Sequence, residues 1–230
     1  MLPDCQELLL KLEDGVLHIT LNRPQKRNAM NDRLVDEMMA VFTGIENDRS
    51  VRAVVLRGAE GNFCAGGDIS GMNDQKTDEN GNPVSAEQAA WKFNRSFGHM
   101  ITRVNHAPQV VICVLEGAVL GGGFGLACIA DIAIADLGAT FAMPETGLGI
   151  IPAQIAPFVV MRVGLTQARR LALTGERIDG RAACELGLVH FVTDGETALT
   201  EKLESVLKGV RRCAPQANAE TKALMAEAKA

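Results

Sequence analysis

The chain begins with two short runs in which apolar and polar residues alternate, and a turn sequence separates them. In the second run Leu17, Ile19 and Leu21 are each separated by one polar residue, which is the period of a half-buried strand. The turn sequence Glu-Asp-Gly at 13–15 is typical of a hairpin. We therefore predict a β-hairpin at the N-terminal end.

The period then changes from two to that of a helix. Leu34, Met38, Val41 and Ile45 recur at helical spacing behind Asn31, a residue type that favours the N-cap position. A helix is predicted over this segment.

The middle of the chain repeats the order apolar strand, glycine-rich turn, apolar helix. The strand VRAVVLRG at 51–58 precedes AEGNFCAGGDI, and PQVVICVLEGAVL at 108–120 precedes GGGFGLA. Beyond residue 160, two short helices and a brief strand are followed by an amphipathic helix in ALTEKLESVLKGVRRCAP. This alternation, with nearly continuous apolar strands, predicts an α/β fold with largely parallel pairing.

Composition narrows the functional classes. With 230 residues, 47% of them hydrophobic, the chain can bury one sizeable core. A net charge of −5 argues against a nucleic-acid partner. The six cysteines form no Cys-x-x-Cys pair and have no histidines at zinc-ligand spacing, so we expect reduced thiols and no metal site. No signal peptide or membrane span is evident, and a soluble, cytoplasmic protein without a membrane partner is expected.

Three consecutive glycines, Gly121, Gly122 and Gly123, stand where an apolar strand turns into an apolar helix. A dinucleotide fingerprint would need a further glycine where the chain has Leu126 or Cys128, and no lysine completes a phosphate-binding loop. Two interpretations remain open: tight packing of the helix against the sheet, or access of a substrate oxygen to the free N–H groups of a helix N-terminus. The second glycine turn, FCAGGDI, could add another N–H and complete an oxyanion hole.

Glu145 is the candidate acid or base. It is a lone carboxylate in the otherwise apolar segment FAMPETGLGIIP. Burial would raise its pKa and suit it to proton transfer near neutral pH. The alternative is an ordinary surface glutamate on a loop.

Three motifs resemble the enoyl-CoA hydratase/isomerase (crotonase) family. GNFCAGGDI, GAVLGGGFGLACIADIAIA and FAMPETGLGIIP occur in the family's order, together with LNRPQKRNAM near the start, and the likeness runs from about residue 8 to the end. The resemblance implies a crotonase-like spiral of repeated ββα units over 1–195, a helical C-terminal region over 196–230, and a homotrimer or dimer of trimers. It also implies an acyl-CoA thioester as ligand, with coenzyme A as part of the substrate and no separate cofactor.

The resemblance assigns roles to particular residues. The N–H groups of Gly67 and Gly122 would bind the thioester oxygen, and Glu145 would transfer the proton. The positions that hold the coenzyme A nucleotide in the family correspond to Lys26, Arg27, Ala29, Ala65, Asp68 and Ile69.

Two departures from the family pattern matter. Hydratases with two catalytic glutamates carry the first of them where this chain has Gly125, which leaves Glu145 as the single glutamate. We expect Gly125 to open space for a branch at C3 of the substrate. The chain also ends before the last one or two helices that family members usually have, so either it is truncated relative to them or that cover of the coenzyme A site is absent.

The implied activity is hydration of a 2-enoyl-CoA. The segment from Ile150 to Leu173 resembles the subgroup that hydrates branched, terpenoid-derived glutaconyl-CoA esters, of the isohexenylglutaconyl-CoA hydratase type. Double-bond isomerisation by the same glutamate remains an alternative, and so does a non-catalytic acyl-CoA-binding protein of this fold.

Overall fold

The computed structural model describes residues 2–68, 70, 76–77 and 83–228. The strands are β1 (Leu8–Glu13), β2 (Val16–Leu21), β3 (Ala53–Gly58), β4 (Lys76–Thr77), β5 (Pro83–Val84), β6 (Val110–Leu115), β7 (Ala118–Leu120), β8 (Ile132–Asp136), β9 (Thr140–Ala142), β10 (Ile178–Asp179) and β11 (Phe191–Thr193). The helices are α1 (Asp32–Ile45), α2 (Ala86–Asn105), α3 (Gly122–Ile129), α4 (Ala156–Thr174), α5 (Gly180–Glu185), α6 (Glu196–Arg212) and α7 (Pro215–Glu227).

The main sheet has the strand order β1-β2-β3-β6-β8-β11. β1 and β2 form the predicted antiparallel hairpin, in which Asp14 and Gly15 take positive φ angles of 49° and 73°. Every other neighbouring pair in this sheet is parallel. The predicted α/β fold with largely parallel pairing is therefore confirmed.

Both faces of the main sheet are covered, which explains the continuous apolar strands β3 and β6. On one face α1, α2 and α3 contribute to the larger core cluster. On the other face, Leu199, Leu203 and Leu207 of α6 pack on Val55 and Ile112. α6 begins at the predicted boundary of the C-terminal region, but it packs on the same sheet as the rest of the chain. The division between 195 and 196 stays a prediction.

A second sheet, β10-β9-β7, stands next to the first. Its strands β7 and β9 are parallel, and each follows a main-sheet strand closely in the chain. β1, β2 and α1 form one ββα unit, and β6, β7 and α3 form another, in agreement with the repetition that the resemblance implies. No helix in the described residues is long and apolar enough to cross a membrane, and the same residues contain no cluster of side chains suited to hold a metal ion.

The glycine at 123 has a packing role that can be tested. A Cβ on Gly123 would lie 2.4 Å from the Cys64 carbonyl oxygen and 2.8 Å from the Cys64 Cβ. We expect Gly123→Ala to lower the free energy of unfolding by about 1–3 kcal/mol because a backbone group must move. Gly209 of α6 is the matched control, since a Cβ there meets nothing within 4 Å, and Gly209→Ala should raise stability by about 0.5–1 kcal/mol. Urea unfolding measures both, and a Gly123→Ala protein as stable as the wild type would contradict this packing account.

Candidate active site

A cavity of about 680 Å³ lies between α2, the N-terminal end of α3 and the segment that follows Pro144. Ala90, Phe93 and Phe97 of α2 line it, and so does Ile155. The lining is mostly apolar, which is typical of a site for a small-molecule ligand with few polar groups.

The two glycine turns predicted from the sequence lie side by side at this cavity. The Cys64 N–H donates to the Ala118 carbonyl at 2.8 Å, and the Leu120 N–H donates to the Cys64 carbonyl at 2.9 Å. A Cβ on Gly66, where φ is +100°, would lie 3.2 Å from the Leu120 oxygen and 3.8 Å from the Gly122 nitrogen. The backbones thus approach more closely than side chains at these positions would allow.

Gly67 and Gly122 each bring a free N–H group to the cavity lining. Gly122 is the first residue of α3, where the helix itself offers no acceptor. On either side of Gly67, the Gly66 carbonyl and the Asp68 N–H both bond to Met30 at 2.8 Å, so the intervening Gly67 N–H faces away from that strand. Within the described residues neither N–H has a protein acceptor. Together they could bind one ligand oxygen.

The Glu145 carboxylate stands beside these donors. Glu145 opens a short 3-10 turn that ends at Leu148, and its Oε1 lies 3.0 Å from the position a Cβ on Gly121 would occupy. Its Oε2 is buried and has no hydrogen-bond partner among the described residues. Burial raises the pKa of this carboxyl above its ordinary value. A partly buried carboxylate with one unpartnered oxygen at the donor pair is suited to accept and return a proton.

Residues near position 26 were predicted to hold the coenzyme A nucleotide. Lys26 is exposed at the cavity, and its Nζ lies 3.1 Å from the Ser70 hydroxyl. Ala29 and Ala65 also line the cavity. Arg27 is exposed and has a left-handed backbone with φ 47°; its carbonyl accepts the Ala65 N–H at 3.0 Å. The binding roles of these residues stay predictions.

Asp68 lines the cavity, but its carboxylate is engaged inside the protein. Oδ2 lies 2.8 Å from Nη2 of Arg23, and Oδ1 accepts hydrogen bonds from the N–H and hydroxyl of Ser70. Burial works against ionisation, yet these contacts hold the Asp68 pKa at about 2. A nucleotide that contacts Asp68 must therefore share its carboxylate with Arg23 and Ser70 or bind its backbone groups. Ile69, the remaining predicted residue, lies outside the described residues.

Arg23 is a residue that the sequence analysis missed. Its guanidinium pairs with Asp68 and with Glu7 Oε2 at 2.6 Å, and it donates to the Ala29 carbonyl. It thereby ties the segment around Ala29 to the glycine turn before Ser70. A single arginine before a proline carries no sequence signal for such a role.

The expectation for Gly125 is wrong. A Cβ at this position would lie 2.3 Å from Cγ2 of Ile155 and 3.1 Å from Cδ1 of Ile101. The missing side chain lets α3 pack against Ile155, and the space is filled rather than open.

A comparison with known protein families identifies the family to which a chain with this site belongs. The profile of the enoyl-CoA hydratase/isomerase family matches residues 11–230. The chain belongs to this family. The predicted family and fold are thereby confirmed.

Individual relatives of the chain include hydratases and an isomerase. A solved structure, Pseudomonas aeruginosa AtuE, is 54% identical with a TM-score of 0.92, over 98% of this chain and 84% of the other. The short-chain-enoyl-CoA hydratase of Clostridium acetobutylicum is 36% identical over 83% of this chain and 70% of its own length. The 1,2-epoxyphenylacetyl-CoA isomerase of Escherichia coli is 34% identical over 83% and 71%. The chain spans between 66% and 71% of the length of the curated relatives it matches first.

The unpaired Glu145 carboxylate should affect stability as a function of pH. Because burial raises its folded pKa above the ordinary 4.5, ionisation destabilises the folded state at pH values above that figure, and the penalty disappears as the pH falls below it. Glu145→Gln should therefore be more stable than the wild type at pH 7, with the gain fading toward pH 4. Urea unfolding between pH 4 and 8 measures this, with exposed Glu201→Gln as the control. A gain that grows on acidification would contradict the assignment.

Proposed function

We propose that the chain hydrates a 2-enoyl-CoA thioester, with Glu145 as the proton-transfer group and the N–H groups of Gly67 and Gly122 as the oxyanion hole. One observation carries the proposal: Glu145 Oε1 lies 3.0 Å from the Cβ position of Gly121, the residue directly before an N–H donor. Membership of the hydratase/isomerase family supports the same proposal.

In the proposed reaction, Glu145 takes a proton from water as the water oxygen bonds to C3 of the substrate. The electrons of the C2–C3 double bond move toward the thioester carbonyl, and its oxygen gains negative charge beside Gly67 and Gly122. Two preoriented N–H donors stabilise that charge strongly in a cavity with apolar walls. The protonated Glu145 then returns the proton to C2. One carboxyl group serves both steps, and the net change is addition of water.

Isomerisation is the second candidate. Glu145 would remove a proton from C2 of a 3-enoyl-CoA, the same oxyanion hole would hold the resulting enolate, and the proton would return to C4. The relationship to the Escherichia coli isomerase supports this alternative. Both reactions need the same three residues.

The finer features are proposals as well. We propose that the acyl group is a C3-branched glutaconyl-type ester and that Lys26, Arg27, Ala29, Ala65, Asp68 and Ile69 hold the coenzyme A part without a separate cofactor. We also propose a cytoplasmic trimer or dimer of trimers. Exposed apolar side chains on α4, among them Met161, Leu165 and Leu173, support an assembly that covers them. Sedimentation or size-exclusion with light scattering tests the assembly.

One spectrophotometric comparison tests the reaction. The protein is incubated separately with crotonyl-CoA, 3-methylglutaconyl-CoA and a 3-enoyl-CoA, and absorbance of the conjugated thioester is followed. Loss of absorbance with either of the first two indicates hydration, and gain with the third indicates isomerisation. No change with any of the three would overturn the proposal in favour of a non-catalytic acyl-CoA-binding protein.

Replacement of the carboxylate should separate binding from chemistry. Glu145→Gln keeps the side-chain shape but cannot accept a proton, so kcat should fall by about 10²–10⁴-fold while the Kd for the CoA ester changes little. Steady-state kinetics and calorimetric binding measure the two quantities. Exposed Glu201→Gln on α6 is the matched control and should behave as the wild type. Retention of more than roughly a tenth of kcat would exclude Glu145 as the base.

Removal of one N–H donor should also slow the reaction. Gly122 is the first residue of α3, a position where proline fits the helix but lacks the N–H. Gly122→Pro should lower kcat by about 10²–10³-fold. In Gly122→Ala the N–H remains, and the added Cβ displaces the flexible end of Met30, whose Cε would lie at 2.6 Å. This matched variant should retain far more activity. Equal activity of two folded variants, judged by circular dichroism, would contradict the oxyanion assignment.

A further inference from the structure

α2 contains a notch that a single side chain occupies. Gly98 is a buried glycine in the interior of this long helix, where alanine would stabilise the helix. A Cβ on Gly98 would lie 2.1 Å from Oε1 and 2.6 Å from Cδ of Gln154. The carboxamide of Gln154 therefore fills the space that the missing side chain leaves.

The notch lies close to the oxyanion hole. Phe97, the neighbour of Gly98 in the chain, comes within 3.3 Å of the Cβ position of Gly122. Ile155, the neighbour of Gln154, packs against Gly125, which is three residues further along α3, or about 4.5 Å of helix rise. Gln154 itself lines the cavity. Gln154 therefore forms part of the wall around the space available to an acyl group whose thioester is held at Gly122.

The Gln154 carboxamide has a donor left for a ligand. It is partly buried, and no described residue makes a hydrogen bond to it. Oε1 and Cδ are the atoms closest to the notch, and Nε2 is not among the three nearest. Neither amide atom is among the buried, unpartnered side-chain atoms of the described residues, so Nε2 stays accessible to solvent or to a ligand. An NH₂ donor is satisfied by an oxygen that accepts a hydrogen bond.

We propose that Gln154 determines acyl specificity: seated in the Gly98 notch, its NH₂ group donates a hydrogen bond to an oxygen substituent of the acyl chain. A carboxylate oxygen or a ketone oxygen has the required chemistry. The inference rests on the proposed function in that the cavity receives an acyl-CoA. It deepens that function by naming the residue that selects a polar acyl group, a residue that takes no part in proton transfer.

The test is a binding measurement on saturated esters, which cannot react. Calorimetry gives the Kd of valeryl-CoA, of glutaryl-CoA, which carries a carboxylate in place of the terminal methyl, and of 4-oxopentanoyl-CoA, which carries a ketone. The wild type should bind at least one of the oxygen-bearing esters roughly tenfold more tightly than valeryl-CoA. The ester that gains identifies a carboxylate or a ketone as the recognised group.

Two variants remove the contact in different ways. Gln154→Leu deletes the amide, and Gly98→Ala keeps it but places a Cβ where Oε1 lies, so that the side chain must leave the notch. Both should bring the Kd ratio close to one while the Kd for valeryl-CoA changes by less than about twofold, and the double variant should show no further loss.

Other outcomes would overturn the proposal. The amide does not recognise the acyl group if the wild type binds all three esters equally tightly. The same follows if Gln154→Leu still binds an oxygen-bearing ester more tightly than valeryl-CoA. Equal weakening of all three esters would assign Gln154 to packing alone. Failure of the proposed function is distinguishable, since it would appear as no absorbance change with crotonyl-CoA, 3-methylglutaconyl-CoA or the 3-enoyl-CoA by a protein that still binds the saturated esters selectively.

Discussion

The site depends on the close approach of two backbone turns, the one that contains Gly67 and the one that contains Gly122. Cys64 fixes this approach with two backbone hydrogen bonds, one to Ala118 and one to Leu120. Side chains are excluded on both sides of the contact: Cβ atoms on Gly66 and on Gly123 would each meet backbone oxygen atoms. The glycines are thus required both for close packing and for the presentation of N–H groups to a ligand. The two interpretations of the triple glycine, tight packing and access of a substrate oxygen, therefore hold together.

Glu145 is held at this pair of turns by its own local structure. Its carbonyl accepts the Ile150 N–H at 3.0 Å, and the hydroxyl of the next residue, Thr146, donates to the Ala172 carbonyl of α4 at 2.7 Å. The turn is thereby fastened to a long helix while the carboxylate stays unpaired. Burial raises its pKa, although a hydrogen bond from its own backbone N–H acts in the opposite direction, and this raised pKa is the physical reason that the carboxyl is suited to proton transfer.

The local patterns in the sequence predicted the hairpin, the helix behind Asn31 and the α/β fold because each depends on residues close together in the chain. The side-by-side glycine turns followed from the repetition of strand, turn and helix. The prediction of open space at Gly125 was wrong because Ile155, which fills that space, lies thirty residues away in the sequence. The pairing of Gly98 with Gln154 had no signal for the same reason, since a notch exists only when two distant segments pack.

The proposed oxyanion hole requires that the N–H groups of Gly67 and Gly122 converge on one thioester oxygen. Isotope-edited difference infrared spectroscopy of valeryl-CoA labelled with ¹³C at the carbonyl measures this most directly, because hydrogen bonds to the oxygen weaken the C=O bond. The carbonyl stretch should shift to lower frequency on binding to the wild type and to Gly122→Ala, and should shift less with Gly122→Pro. A bound ester whose carbonyl frequency equals that in water for all three proteins would contradict it.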